Sequence, residues 1–367
     1  MKVKAAILSS PTTPFKIEVV DLEPPRKGEV LVKMMAAGVC HSDWHLVTGD
    51  TPHPMPVVAG HEGSGVVESI GEGVTGLAIG DHVCLNWAPS CGTCFYCIRG
   101  QNSLCSAYVG PIWAGTMQDG STRLSLNGTP IYHFSSLACF AERAVVPAVC
   151  CIPMRESIPY GVSALIGCAA TTGIGAVLNT AQIAARSTVA VLGAGGVGLS
   201  VVMGAKHAGA SQIIAVDKTE AKLRTARDFG ATNGVLSDAD ITEEIRFLTE
   251  GRGVDYAFEA VGLPYLQELA LAIIRPGGTA VLAGISPVGS ATNLPGAILT
   301  RQEKTVKGCY YGSSVPARDF PLYADLYQSG ALPLDRLISK TYRLEEINEA
   351  YEDMIEGRTA RGILDLS

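Results

Sequence analysis

The chain has 367 residues, a length that favours two domains over a single hydrophobic core. Hydrophobic residues make up 47% and charged residues 17%, a composition typical of a folded globular protein and not of a disordered one. The net charge of −7 comes from interspersed acidic and basic residues, which argues against binding to nucleic acid or to an anionic membrane.

The N-terminal apolar run is short and predicts a first strand. It covers residues 3–8 and is stopped at once by Ser9, Ser10 and Pro11, so it does not resemble the apolar part of a secretory signal. We expect no stretch of about 18 apolar residues, the length that a membrane-spanning helix needs. These features predict a cytoplasmic protein that does not contact a membrane.

Short apolar runs separated by turns continue to about residue 160. Examples are the runs at 30–32, 66–67 and 144–146, and Gly, Pro and Asp residues lie between them. Short strands bounded by turn residues are typical of sheets with tight connections. The sequence therefore predicts a β-rich first unit.

Four closely spaced cysteines within this β-rich unit indicate a metal site. Cys91, Cys94, Cys97 and Cys105 are separated by two, two and seven residues. Two-residue gaps let neighbouring thiolates converge on one tetrahedral ion, and four ligands close its coordination shell, so the spacing predicts a structural zinc. An iron–sulfur cluster also uses two-residue gaps. Zinc is favoured because no proline follows Cys105 and because a dinucleotide motif lies further along the chain.

The pattern changes near residue 162 to strands that alternate with helices. The predicted elements are a strand over 188–192, a helix through residue 207, a strand over 212–216, a helix over 220–229 and strands over 254–259 and 279–283. Such alternation implies an α/β fold with a doubly wound parallel sheet. One amphipathic helix is predicted near the end of the chain, over residues 344–355.

A glycine-rich segment, Gly193–Gly198, follows the first of these strands and has the G-x-G-x-x-G spacing. The spacing alone is a weak signal because glycine is common in this chain, but its place between a strand and a helix strengthens it. Gly193 would allow a tight turn, Gly195 the approach of a pyrophosphate, and Gly198 close packing of helix on strand. The segment predicts a dinucleotide site.

The residues around this segment also predict which dinucleotide is bound. Gly196 and Val197 begin the helix, whose free N–H groups would receive the phosphates. Asp217 ends the next strand, nineteen residues after Gly198. Its carboxylate would accept hydrogen bonds from the adenosine ribose and would repel a 2′-phosphate, so NAD is favoured over NADP.

Two further segments hold residue types that bind metals. Residues 38–45 include Cys40 and two histidines, and residues 60–63 include His61 and Glu62. A lone Cys or His is more often a packed residue than a ligand. Here both segments lie in the β-rich unit that also holds the four cysteines, which favours a second metal site.

With these segments the sequence resembles the zinc-dependent medium-chain alcohol dehydrogenases, in their dimeric, long-loop branch. The shared features run nearly end to end and are Gly60–Glu62, the four cysteines, Gly167–Cys168, the glycine segment and residues 357–364. The resemblance implies a GroES-like catalytic, zinc-binding domain over residues 1–169 and 312–367. It also implies a Rossmann dinucleotide-binding domain over residues 170–311.

The resemblance implies three ligands for a catalytic zinc, which are Cys40, His61 and Cys168. Glu62 would be a carboxylate that approaches the metal during ligand exchange, and Ser42 and His45 would relay the alcohol proton. Three ligands leave the ion an open position at which an alcohol loses its proton more easily, so that hydride can pass from carbon to nicotinamide. The resemblance thus implies two zinc ions per chain, one catalytic and one structural, and NAD.

Further residues match cofactor and substrate contacts of the family. The implied cofactor contacts outside the glycine segment are His41, Thr172, Lys222 and Arg361. The implied pocket residues are Trp87, Phe134, Ile285 and Tyr310, for which ordinary core packing is the alternative. An apolar pocket would suit aryl or medium-chain primary alcohols and their aldehydes. The long stretch from Cys105 to Cys139 is typical of the homodimeric branch.

Several alternatives remain open from the sequence. A nicotinoprotein that never releases its NAD shares most of these motifs. Oxidation of thiol adducts of formaldehyde is disfavoured by Val109, where such enzymes carry an arginine, and by His45. A zinc-free quinone reductase and a non-catalytic NAD-binding protein that kept its zinc ions for structure are disfavoured by the complete set of ligand and relay residues. A polyol dehydrogenase remains an alternative, although that branch usually has a carboxylate in place of Cys168. The five other cysteines are interpreted as small buried hydrophobic residues, and they are Cys84, Cys139, Cys150, Cys151 and Cys309.

Overall fold

The structure, a computed structural model, describes residues 1–238 and 240–367. These residues form two compact units. The first comprises Met1–Cys168, Val315–Ser329 and Leu334–Ser367, and the second comprises Ala169–Ser314 and Gly330–Pro333. The predicted domain boundaries, after residues 169 and 311, lie near the points where the chain passes from one unit to the other.

Strands and turns dominate the first unit, and strands alternate with helices in the second. In chain order the strands are β1 (Lys2–Leu8), β2 (Lys16–Leu22), β3 (Glu29–Gly38), β4 (Val57–Val58), β5 (Gly63–Ile70), β6 (His82–Leu85), β7 (Leu124–Leu126), β8 (Thr129–His133), β9 (Arg143–Pro147), β10 (Cys151–Pro153), β11 (Thr188–Leu192), β12 (Gln212–Asp217), β13 (Asn233–Leu236), β14 (Val254–Glu259), β15 (Ile274–Leu282), β16 (Thr305–Gly308), β17 (Ile338–Arg343) and β18 (Arg361–Asp365).

The helices follow the same division. In chain order they are α1 (His41–Thr48), α2 (Val109–Ala114), α3 (Tyr160–Leu165), α4 (Thr171–Gly175), α5 (Gly196–His207), α6 (Glu220–Phe229), α7 (Ile241–Leu248), α8 (Pro264–Ile273), α9 (Gly296–Arg301), α10 (Pro316–Gln328) and α11 (Ile347–Ile355). Two π-helical segments, Ile166–Ala170 and Ala176–Ala181, follow α3 and α4. The helix predicted over 344–355 begins as a 3₁₀ turn and becomes α-helical at Ile347.

The first unit is built from a barrel and a sheet. Strands β1, β2, β7, β8 and β4 close the barrel, and the sheet has the order β10-β6-β5-β3-β18-β17, with β9 also paired to β3. The long strand β3 therefore has neighbours on both sides. Its last residue, Gly38, pairs with Ile363 of β18. This register brings the end of the chain beside the segment that follows β3, where the predicted metal ligand Cys40 lies.

The second unit has the predicted doubly wound parallel sheet. Its strand order is β13-β12-β11-β14-β15-β16, and every pairing is parallel. The central strand β11 consists of buried apolar residues after its half-buried first residue, and β12 has four consecutive buried apolar residues, because helices pack on both faces of such a sheet. The order reverses between β11 and β14, and the crevice at the carboxyl ends of these two strands is where ligands bind in this architecture.

One expectation from the sequence is wrong. Tyr160–Ala181 is a continuous helix of 22 residues that is long and apolar enough to cross a membrane, although no such stretch was expected. Its apolar residues are not available to lipid, because 89% of the apolar window is buried inside the protein. Core helices that are covered on all sides have the same composition as membrane helices. We therefore assign this helix to the protein interior.

The neutral histidine in the barrel predicts a pH dependence of stability. His133 is fully buried, its Nε2 atom accepts the N–H of Arg123 at 3.0 Å, and burial lowers its pKa from 6.5 to about 3. The unfolded chain therefore binds a proton that the folded chain does not. The stability of the fold is therefore not reduced by His133 above pH 6.5. As the pH falls from 6.5 towards 3, the free energy of unfolding decreases by about 1.4 kcal/mol per pH unit.

We expect His133→Gln to flatten the decline of the thermal unfolding midpoint between pH 6 and pH 4, while lowering the midpoint at pH 7. The exposed residue His207 provides the control, since His207→Gln should leave the pH profile unchanged. A profile of the His133 variant parallel to that of the wild type would contradict the assignment.

Candidate active site

Four buried side chains meet in the first unit and could hold a metal ion. The ligand atoms of Cys40, His61, Glu62 and Cys168 all lie within 4.8 Å of one another. Cys40 directly precedes α1, and His61 and Glu62 lie between β4 and β5. Cys168 comes from the π-helical segment, more than a hundred residues further along the chain. The structure thus brings together the three ligands that the resemblance implied.

A buried carboxylate that the sequence analysis missed orients the imidazole of His61. The Oδ2 atom of Asp43 lies 3.0 Å from His61 Nδ1, and its Oδ1 atom accepts the N–H of Gly60 at 2.8 Å. A carboxylate at this position would favour the ring tautomer that carries its proton on Nδ1. His61 Nε2 is buried and has no hydrogen-bond partner among the described residues, so in the neutral ring, after an ion has displaced the second proton, this atom could offer its lone pair to the ion.

The donor set of this cluster fits zinc. Two sulfur atoms and one imidazole nitrogen are typical of catalytic zinc sites, in which three protein ligands leave one position open. A hydrogen bond from Cys168, together with the positive charges of His61 and Arg361, lowers the pKa of the Cys40 thiol well below its usual value. Cys40 is therefore prepared to act as a thiolate ligand.

Glu62 is paired with a cation from the last strand. The Arg361 guanidinium donates to Glu62 Oε2, and the two side chains are 5% and 0% exposed. Burial raises the pKa of Glu62 to about 8, although Arg361 opposes the shift. Gly38 makes room for the pair, because a Cβ atom there would lie 2.0 Å from Glu62 Oε2. The phosphate contact that the resemblance implied for Arg361 stays a prediction, since its guanidinium here contacts Glu62.

The two predicted relay residues lie on α1, three positions apart. Cys40 Sγ lies 3.8 Å from Ser42 Oγ, which places the hydroxyl beside the ligand cluster. His45 is 21% exposed, and its Nδ1 atom lies 3.3 Å from Asp50 Oδ2. The hydroxyl of Thr48 donates to the same oxygen at 2.6 Å and, with His45, lowers the pKa of Asp50. Asp50 is a second carboxylate that the sequence analysis missed. His41, the first residue of α1, is exposed.

Two aromatic side chains stand next to the cluster. The ring of Trp87 lies 6.1 Å from the imidazole of His61 and the ring of Phe134 lies 5.5 Å from it, both edge-on. They are 8% and 4% exposed. The other two predicted pocket residues belong to the second unit, where Ile285 is 50% exposed and Tyr310 is half-buried.

The four-cysteine segment forms a second cluster in the first unit. The sulfur atoms of Cys94 and Cys97 lie 3.5 Å apart, those of Cys94 and Cys105 3.9 Å, and those of Cys91 and Cys97 4.0 Å. A tetrahedral ion with arms of about 2.3 Å has edges of about 3.8 Å. A hydrogen bond from the N–H of Cys97 lowers the pKa of Cys94 to about 5. The sulfur spacing and the four sulfur donors fit a zinc ion whose coordination shell is closed.

The remaining cysteines are buried. Burial raises the pKa of each of their thiols, which disfavours the reactive thiolate form. The group comprises Cys84, Cys139, Cys150, Cys151 and Cys309.

The glycine segment of the second unit has the geometry expected of a phosphate-binding turn. Gly193 has a positive φ of 97°, a backbone conformation that side chains disfavour. A Cβ atom on Gly198 would lie 1.7 Å from Gly193 O, so only glycine permits this packing of α5 on β11. A Cβ atom on Gly195 would meet no atom within 4 Å, apart from its chain neighbours. Gly196 and Val197 form the first positions of α5.

Asp217 lies at the end of β12, beside this turn. Its Oδ2 atom accepts the N–H of Ala194 at 2.8 Å, and its Oδ1 atom accepts the N–H of Lys218 at 2.7 Å. Lys222 Nζ lies 3.6 Å from Oδ1. Thr172, another predicted cofactor contact, lies in α4 and is 8% exposed.

Metal-binding clusters in one unit and a dinucleotide-type turn in the other define a zinc-linked oxidoreductase. Comparison with known proteins agrees. Residues 26–156 match the alcohol dehydrogenase GroES-like domain, and residues 196–329 match the zinc-binding dehydrogenase domain. The chain belongs to the zinc-containing medium-chain alcohol dehydrogenase family. It is an enzyme that acts on small-molecule alcohols and uses zinc and NAD(P).

Its relatives include proteins with distinct cofactor and substrate behaviour. The chain is 40% identical over 367 residues to an NDMA-dependent alcohol dehydrogenase of Amycolatopsis methanolica, with 99% of each chain covered. It is 37% identical over 372 residues to a class-3 alcohol dehydrogenase of Dictyostelium discoideum, covering 99% of this chain and 97% of the other. Among solved structures, a benzyl alcohol dehydrogenase of Acinetobacter calcoaceticus superposes with a TM-score of 0.95 at 32% identity, with both chains fully covered.

The Asp43 carboxylate lies 3.0 Å from His61 Nδ1. The substitution Asp43→Asn should therefore weaken zinc binding at the cluster of Cys40, His61 and Cys168. Loss of a carboxylate behind a metal-bound histidine lowers metal affinity by about 10- to 100-fold. Competition with a chelator, followed by metal analysis, measures the effect without an activity assay. Asp50→Asn is the matched control, because Asp50 contacts His45 and not a ligand. Equal zinc retention by the two variants would contradict the role of Asp43.

Proposed function

We propose that this enzyme transfers a hydride between a primary alcohol, aryl or medium-chain, and NAD, and forms the aldehyde. The observation that carries the proposal is the buried cluster of Cys40, His61 and Cys168. Two thiols and one imidazole, with Asp43 behind the imidazole, would hold a catalytic zinc with one position left for substrate. When bound, this ion would polarise the alcohol or carbonyl oxygen, and NAD would accept or donate the hydride.

The residues on α1 would move the proton of the alcohol. Ser42 lies beside the ligand cluster and would accept that proton while its own hydroxyl proton passes towards His45, with the cofactor ribose as the link between the two side chains. His45 is partly exposed, so its imidazole could pass the proton to solvent. Asp50 would keep the His45 ring oriented through its Nδ1 atom. Glu62, paired with Arg361, would offer a carboxylate to the ion when ligands exchange.

The rings beside His61 support an apolar substrate. The rings of Trp87 and Phe134 are nearly perpendicular to the imidazole and are almost fully buried. A flat aryl group packs well against such rings. The similarity to a benzyl alcohol dehydrogenase supports the same class of substrate. Ile285 and Tyr310 are proposed as further pocket residues.

We propose two zinc ions per chain, one in each cluster of the first unit, and different roles for them. Metal analysis of the wild type should find two equivalents. Cys40→Ser should lose one equivalent and turnover while the unfolding midpoint changes little. Cys94→Ser should also lose one equivalent, but its midpoint should fall sharply because the closed cluster stabilises the fold. A single zinc in the wild type would refute the assignment.

We propose NAD and not NADP as the cofactor, because the Asp217 carboxylate stands where the adenosine ribose binds in this fold. His41, Thr172, Lys222 and Arg361 are proposed as additional contacts to it. Asp217→Ala should reduce the preference for NAD over NADP, measured as the ratio of kcat/KM values, by about tenfold or more. An unchanged ratio of kcat/KM values would contradict the ribose contact and would leave Asp217 only its role as acceptor for the N–H groups of Ala194 and Lys218.

A second candidate is a nicotinoprotein that retains its NAD through turnover. The similarity to an NDMA-dependent alcohol dehydrogenase over nearly the whole chain favours it. A screen of aliphatic, aryl and terpenoid alcohols with either free NAD or NDMA as acceptor separates the two. Turnover with NDMA alone, together with NAD that survives gel filtration, identifies the nicotinoprotein. Turnover with free NAD supports the dissociable cofactor, and activity with neither acceptor contradicts both.

We also propose that the enzyme is a cytoplasmic homodimer. The dimer rests on the long segment between Cys105 and Cys139, which is typical of the dimeric branch. The parallel sheet of the second unit ends at β16, and an open sheet edge is available for pairing with a second copy.

A further inference from the structure

A buried glutamate that has no part in the zinc chemistry lies at the ligand-binding end of the second unit. Glu259 is the last residue of β14 and is fully buried. Strand β14 adjoins β11, and the strand order of the sheet reverses between these two. The carboxyl ends of strands at such a reversal border the crevice where dinucleotides bind.

Glu259 joins the two segments that follow β14 and β15. Its Oε1 atom accepts the N–H of Val261 at 2.8 Å and the N–H of Gly262 at 2.7 Å. Its backbone carbonyl accepts the N–H of Ala283 at 2.9 Å and the N–H of Gly284 at 3.0 Å. One residue therefore fixes the backbone of two loops that emerge side by side from the sheet.

These two loops pack closely against each other and against the glycine segment. A Cβ atom on Gly284 would lie 2.1 Å from Gly262 N, and one on Gly193 would lie 2.4 Å from Val261 Cγ2. The N–H of Ala260 also donates to the carbonyl of Leu192, the last residue of β11. Displacement of the loop after β14 would therefore be transmitted to the turn that receives the pyrophosphate.

The second carboxyl oxygen of Glu259 is costly for stability. Oε2 is buried without a hydrogen bond of good geometry among the described residues, and burial raises the pKa of the carboxyl although the N–H groups of Gly262 and Val261 and the Gln267 side chain oppose the shift. A buried polar atom without a partner destabilises a fold. Glu259 is therefore better explained by the two N–H groups that it organises through Oε1 than by a general contribution to stability.

We propose that Glu259 is a positioning residue for the dinucleotide cofactor, which it serves by holding the 260–262 loop against the glycine segment. The inference rests on the proposed NAD function. Glu259 acts through the hydrogen bonds that Oε1 accepts and not through its charge, so glutamine can replace it and alanine cannot.

The test compares three variants by direct titration with NAD and with NADH, followed by fluorescence. Glu259→Ala should raise both dissociation constants by about tenfold or more, because misplaced loops weaken contacts to the ligand. Glu259→Gln retains the acceptor oxygen and should stay within about threefold of the wild type for both forms. Zinc content should be unchanged in each variant.

Asp255→Ala is the matched control. Asp255 lies near the opposite end of the same strand, and its Oδ2 atom accepts the N–H and the hydroxyl of Thr188 at 2.8 and 2.9 Å. Its loss should lower the unfolding midpoint without changing the NAD and NADH dissociation constants. If Glu259→Ala does not fold, Val261→Gly removes a half-exposed side chain that packs on Gly193 and should raise the NADH dissociation constant.

Some outcomes overturn the inference. It fails if Glu259→Ala and Asp255→Ala lower the midpoint equally and neither weakens binding, because the role is then only structural. It also fails if Glu259→Gln weakens binding as much as Glu259→Ala, or if Val261→Gly has no effect. A wild type that binds neither NAD nor NADH contradicts the proposed function itself, which is a distinguishable result.

Discussion

The burial of several charged groups at one point of the first unit is the constraint on which its structure depends. Four acidic side chains, Cys40, Cys168, Asp43 and Glu62, are buried there together, and the Arg361 guanidinium and the His61 imidazole lie beside them. Isolated buried charges destabilise a fold by several kcal/mol, so such groups are tolerated only when they are paired or bind a metal. The positions of α1, β3 and β18 follow from this requirement.

The first unit meets the requirement with backbone geometry as well as side chains. Gly38 leaves space for Glu62, and the pairing of β18 with β3 brings Arg361 to the same place. The N–H of Gly60 helps to hold Asp43, which in turn orients His61. In the four-cysteine cluster the backbone also contributes, because the N–H groups of Cys91 and Cys94 donate hydrogen bonds to the sulfur atoms of Cys105 and Cys91. Each cluster contains a cysteine whose thiol pKa is lowered by its surroundings, Cys40 in one and Cys94 in the other.

The second unit solves a different problem, which is to present backbone N–H groups to an anionic cofactor. Gly193 and Gly198 allow the turn and the close packing that expose the start of α5. Asp217 and Glu259 each accept N–H groups at the carboxyl ends of the two strands that flank β11. A carboxylate in such a place shapes a loop as well as contributing charge. One chain thus combines metal chemistry, in the first unit, with dinucleotide binding, in the second.

The sequence by itself determined the features whose residues are neighbours in the chain. The four-cysteine spacing, the glycine segment, the strand over 188–192 and the helix over 220–229 depend on local periodicity and short gaps. Only the tertiary structure decided which distant groups meet: Glu62 and Arg361 are 299 residues apart, and Asp43 orients His61 from another element. It also decided that the apolar helix Tyr160–Ala181 is a core helix. The composition of a segment shows that it avoids water, but it does not show whether protein or lipid covers it.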